Sequence, residues 1–169
     1  EYYSDSTSFI LTVDPVNDAP VISPIPAAFT EENNALYLNL ELTDVDTGET
    51  FIIFASSDDP SLTVTADPED SSITAIPDAD WHGSSEITVI VSDGELSDTQ
   101  TFTLTVGPIN DSPTIEDIED ITIHEDEDLI LQVQATDIDT GQTLILGAFS
   151  DTISVFVEPN SEDFTVTAV

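Results

Sequence analysis

Acidic side chains are the one abundant reactive group in this sequence, and their spacing makes them informative. The 169 residues include 36 Asp and Glu and two His, with no Lys, Arg or Cys, a formal net charge of -36. The acids fall in short elements: Glu32; Asp44 and Asp46; Asp78 and Asp80; Asp93 within Val91-Ser92-Asp93-Gly94; and Asn17-Asp18 ahead of Pro20. Oxygen-only sets of this kind suit calcium, which takes about six to eight hard ligands from carboxylates, Asn carbonyls and backbone. Asp and Asn also form turns on solvated loops with no ligand at all. Turn chemistry leaves one thing unexplained: the two-Asp motif recurs, together with its linker, at one fixed offset.

The same composition excludes other chemistries. Nucleic acids and anionic membranes need Lys or Arg against their phosphates, so neither is an expected partner, and cations are. Without Cys there is no disulfide, no thiolate metal site and no reading of the redox compartment. His82 and His124 do not occupy equivalent places in the repeat described below, so a zinc site has no support. Nucleophilic catalysis lacks a Cys nucleophile or a Ser elbow. Carboxylate pairs that could cleave glycosides mean nothing among so many acids. No enzyme is expected. Asn110-Asp111-Ser112 matches a glycosylation sequon by chance, with Pro113 behind it.

Self-similarity organises the rest. Val16-Asn17-Asp18-Ala19-Pro20 returns as Ile109-Asn110-Asp111-Ser112-Pro113, and Thr43-Asp44-Val45-Asp46-Thr47-Gly48 as Thr136-Asp137-Ile138-Asp139-Thr140-Gly141, each 93 residues on. The same offset takes Glu32 to Glu125, Leu36, Leu38 and Leu40 to Leu129, Leu131 and Val133, and Ile73–Ile76 to Val166–Val169. Residues 1–15 are then the end of one repeat, 16–108 a whole one, and 109–169 the start of the next. Each junction falls at an Asn-Asp-x-Pro linker, where Pro discourages strand pairing and Asx side chains favour a turn.

The elements that must position the acids are strands. Leu36–Leu42, Leu62–Thr65, Ile87–Val91 and Phe102–Val106 alternate apolar and polar residues with period two, and no helical stripe competes. A hydrophobic content of 39%, spread evenly, supplies a core despite the charge. About seven strands in each repeat predict an all-β fold of tandem immunoglobulin-like sandwiches. Trp81 is expected to plug the core where the chain enters a strand, with a sugar-stacking platform as the alternative. No apolar run approaches the roughly 20 residues that span a bilayer, and no basic leader precedes a short apolar segment, so the chain reads as an interior piece of something longer.

Glu32-Asn33, Thr43-Asp44-Val45-Asp46, Val91-Ser92-Asp93-Gly94 and the Ile109-Asn110-Asp111-Ser112-Pro113 linker together resemble cadherin repeats. The resemblance is closer to the cadherin-like tandem repeats of large bacterial surface adhesins. It implies Ca2+ bound between successive repeats. Carried over by position, the junction near 110 would use Glu32, Asp80, Asn110, Asp111, Asp137 and Asp139. The junction near 17 would use Asn17, Asp18, Asp44, Asp46 and Asp93, and Glu125 repeats the role of Glu32. The family's late Asp-x-Glu loop is here Asp78-Ala79-Asp80-Trp81, which leaves open which Asp binds. An EF-hand is a poor rival: its twelfth loop position would fall on Ala55 or Ala148, and no helices flank it.

The function expected from this is a calcium-rigidified spacer or fibre shaft of an extracellular, cell-surface adhesin. Its partners would be neighbouring repeats of the same long chain or filament. The alternative is a carbohydrate-binding module that contacts extracellular polysaccharide, with glycans as partners. By the offset, Pro77 to Asp93 has no counterpart after Val169. The chain is therefore expected to be a window cut from a longer polymer, or else to accept residues 7–13 of a neighbouring molecule as a donated strand.

Overall fold

In the computed structural model the described residues are 1–151 apart from 47 and 49, with 157–160 and 165–168. Thr47 of the two-Asp segment and Val169 of the repeated strand lie outside them. The chain divides into two units, Glu1–Pro108 and Ile109–Val169. Both are built of strands, and among the described residues no helix is long and apolar enough to cross a membrane.

In the first unit the alternating runs become strands because each can bury one side and hydrogen-bond a neighbour. β1 (Val21–Ile22) pairs with β4 (Leu42–Thr43). β2 (Ala28–Glu31), β9 (Ser97–Gly107), β8 (Gly83–Ser92) and β5 (Ile52–Ser57) form one sheet in that order, with β2 parallel to β9 and the other pairs antiparallel. β3 (Leu36–Asn39), β7 (Ser72–Pro77) and β6 (Leu62–Asp67) form the other. Ile87, Val89 and Val91 of β8 and Phe102, Leu104 and Val106 of β9 are buried in one core cluster with Leu62, Ile73 and Ala75 from the opposite sheet. Each such side chain stabilises by roughly 1.5–3 kcal/mol over leaving it exposed. Trp81 is half-buried and packs against this core, so its ring serves the interior.

The run Leu36–Leu42, expected as a single strand, is two. β3 pairs with β7 while β4 pairs with β1, so the chain changes partner at Leu40-Glu41. Leu40 donates its N–H to the Ser71 carbonyl at 2.8 Å, and the Glu41 carbonyl accepts from Ser23 at 2.9 Å. Residues 1–20 carry no strand, although Thr12-Val13 matches Thr105-Val106 of β9. A strand exists through its neighbour, and among the described residues no ladder reaches this segment. Tyr2, Phe9, Ile10 and Val13 are exposed.

The second unit repeats the internal register of the first. β10 (Thr114–Ile115) pairs with β12 (Ala135–Thr136), and β11 (Leu129–Gln132), β14 (Thr165–Ala168) and β13 (Val157–Asn160) form a sheet in that order. Val21↔Thr43 returns as Thr114↔Thr136, Leu36↔Ala75 as Leu129↔Ala168, and Val64↔Ala75 as Val157↔Ala168. Buried Leu40 and Ile53 return as buried Val133 and Leu146. Even the left-handed backbone positions recur: Asn33 (φ 62°) as Asp126 (66°), and Gly48 (90°) as Gly141 (84°).

Candidate metal centre

Asn17, Asp18, Asp44, Asp46 and Asp93, far apart in sequence, form one hydrogen-bonded set in the first unit. After β4 the chain turns, and Asp44 Oδ1 accepts the Asp46 N–H two residues on at 2.9 Å, the Asx turn that an Asp-x-Asp spacing favours. Asp46 Oδ2 in turn accepts the Asp18 N–H at 2.8 Å, which ties the linker to the loop. Asn17 Nδ2 donates to Asp93 Oδ2 at 3.0 Å.

Asp93 sits in the β8–β9 hairpin, where Gly94 adopts φ 107°, a conformation costly to a residue with a Cβ. The Leu96 and Glu95 N–H groups, at 2.8 and 2.7 Å from Asp93 Oδ1, hold its carboxyl below the ordinary 3.8, and the Asn17 amide adds to the effect.

These carboxylates gather without any Lys or Arg to offset them. Like charges brought together in this way repel, and nothing in the side-chain inventory offsets them. One atom exposes the deficit: Asp44 Oδ2 is buried and has no hydrogen-bond partner among the described residues. Leaving a buried acceptor unsatisfied costs about 1–3 kcal/mol, and more when it is charged. A bound cation would answer both problems, and an all-oxygen donor set is the chemistry of a hard cation. The residues present fit such an ion.

The second unit repeats the linker and two-Asp part of this network. Asp111 N–H donates to Asp139 Oδ2 at 2.7 Å, and Asp139 N–H to Asp137 Oδ1 at 2.9 Å. Asn110 Nδ2 reaches the Asp111 carbonyl at 2.7 Å, as Asn17 reaches that of Asp18 at 3.2 Å. Carboxylate oxygens of Asp111 and Asp139 lie within 4.8 Å of each other. Asn110 Oδ1 also accepts from Gln142 Nε2 at 2.6 Å, a contact no spacing announces; its counterpart, Glu49, lies outside the described residues.

Glu32 and Asp80 occupy the other end of the first unit. β8 begins at Gly83, next to His82, and finishes at Ser92, next to Asp93, so about ten residues of strand, roughly 30 Å, separate the two ends. Asn33 and Asp80 clasp one another: Asn33 Nδ2 donates to Asp80 Oδ1 at 3.0 Å, and the Asp80 N–H to Asn33 Oδ1 at 3.1 Å. Both adopt positive φ, 62° and 57°. Of Asp78 and Asp80, it is thus Asp80 that joins the Glu32 loop. Glu32 is buried, donates its N–H to the Gly107 carbonyl at 2.9 Å, and has Oε2 3.5 Å from His82 Nδ1.

His82 was not among the residues expected at this end, and its position one place before a strand gave no sign of it. Neither the bridging by Asn33 nor its link to Asp80 was legible, although Asn is the side chain best suited to such a turn. Glu125, the equivalent of Glu32, is exposed.

The Bacterial Ig domain profile matches residues 17–105, a little over half of the chain. No curated protein matches. Among solved structures the chain is similar to the endo-fucoidan hydrolase MfFcnA4 of glycoside hydrolase family 107, at 17% identity and TM-score 0.45, over 89% of this chain and 24% of that one. It is also similar to titin domains Z1Z2 in complex with telethonin, at 13% and 0.43, over 90% and 81%. A third is surface layer protein SbsC, domains 4–9, at 18% and 0.37, over 92% and 27%. The chain therefore spans about a quarter of the hydrolase. Likeness at this level carries no argument about activity or partners. The profile match settles the family: this chain belongs to the bacterial Ig domains.

Proposed function

We propose that the chain is a non-catalytic, calcium-binding segment of a large extracellular adhesin or fibre, of the cadherin-like tandem-repeat type, in which the cation stiffens each junction between repeats. One observation carries the reading. The linker Asp, the two-Asp loop and their hydrogen bonds recur at the start of both units with the same donors and acceptors.

In this reading Asn17, Asp18, Asp44, Asp46 and Asp93 serve one junction. Glu32, Asp80, Asn110, Asp111, Asp137 and Asp139 serve the next, and Glu125 the one after. When bound, calcium supplies positive charge that cancels carboxylate repulsion. The chain's own residues do the positioning: Asx turns aim the carboxylates, Asn side chains brace the linkers, and Asp93 stays ionised because backbone N–H groups stabilise its charge. Without the cation the like charges drive successive repeats apart, while each sandwich keeps its own core.

Small-angle scattering of the chain in calcium and in chelator tests this. A narrower, more extended distribution of shapes in calcium is expected; superimposable curves would overturn the stiffening role.

A further inference from the structure

The acids of the first unit avoid its sheets. Of its 20 described Asp and Glu, four lie in strands: Glu31, Asp67, Glu86 and Asp98. The outward face of the β2-β9-β8-β5 sheet is accordingly almost neutral, with Glu86 on it and Glu31 at one end. Thr99, Thr101, Thr103 and Thr105 alternate along β9 and are all exposed. Beside them stands an apolar corner: Phe54 of β5 is the cross-strand partner of Ile90 of β8, with Ile52 two residues away. These side chains are 62%, 36% and 47% exposed. β5 is also the outer strand of its sheet and contains neither charge nor proline, the features that ordinarily keep an edge from pairing.

We propose that this face is a self-association surface, on which a second copy of the chain packs through a twofold contact centred on Phe54 and Ile90. Charge selects the occupant. Any contact through the loops of two such polyanions sets carboxylate against carboxylate, whereas this face brings together apolar side chains and hydroxyls. Hydroxyls both donate and accept, so a row of Thr is complementary to its own twofold mate. The contact needs no metal, which separates it from the junction chemistry proposed above.

Sedimentation of the 169-residue chain in chelator, across a range of concentration and salt, is the test. A concentration-dependent dimer is expected, tightening as salt screens the like charge. Phe54→Glu and, two strands away, Thr101→Glu should each weaken it by about tenfold or more. Tyr37→Glu, on the outward face of the other sheet, should leave it unchanged.

A monomer at every concentration and salt would overturn the proposal. So would a dimer that survives both face variants, or one that forms only in calcium. Phe54-dependent retardation of a monomer in a gel of neutral polysaccharide would give the face to glycan instead.

Discussion

Asp44 shows in a single side chain why the acidic loops want a cation. One of its oxygens caps the turn to Asp46, and the other is buried without a partner among the described residues. In chelator, Asp44→Asn should therefore leave stability unchanged or raise it by about 1 kcal/mol, since it removes an uncompensated charge. In calcium the same variant should lose most of the added thermal stability that the parent gains; equal gains in both proteins would remove Asp44 from the ligand set.

Asp58 makes the opposite case, a carboxylate satisfied without metal. Ser85 Oγ donates to its Oδ1 at 2.5 Å and the Glu86 N–H at 2.9 Å, and these bonds lower its pKa from 3.8. A depressed folded value means that the group favours the folded state fully above the unfolded value, and that this is lost as pH falls through the folded one. Asp58→Asn should thus be less stable than the parent at neutral pH, with the gap closing below about pH 3.8. Urea denaturation at neutral pH and near about pH 3 reads the difference. A gap that does not change with pH would refute the assignment.

At the scale of elements, the sequence carried the strands well because burial and alternation are the same fact. Ile87, Val89 and Val91 alternate in the sequence and face one core in the structure. The places it misjudged are those where a neighbour decides. Leu36–Leu42 alternates without a break, yet two different partners divide it. Thr12-Val13 has the residues of β9 and no ladder beside it among the described residues.

The clasp of Asn33 on Asp80 was hidden for the same reason: it joins loops 47 residues apart, and nothing local marks it. Leu104, fully buried in β9 beside β2 and β8, should cost about 2–5 kcal/mol as Leu104→Ala. Gly94→Ala, forced into φ 107°, should cost roughly 1 kcal/mol or more and loosen the hairpin that carries Asp93. Chemical denaturation measures both, and a neutral result for Leu104→Ala would contradict the core as described.

For the whole molecule, the repeat was the most legible feature. An offset of 93 found in letters returns as strand register, buried positions, left-handed residues and hydrogen bonds. Two networks of the same design should then respond to the same ion. Calorimetric titration of the full chain with calcium measures this most directly. Binding is expected, with the total heat reduced by Asp46→Asn or by Asp139→Asn and lowered further when the two are combined, while His124→Ala binds as the parent does. Absence of binding in the parent chain, or equal binding in all of these proteins, would contradict the account.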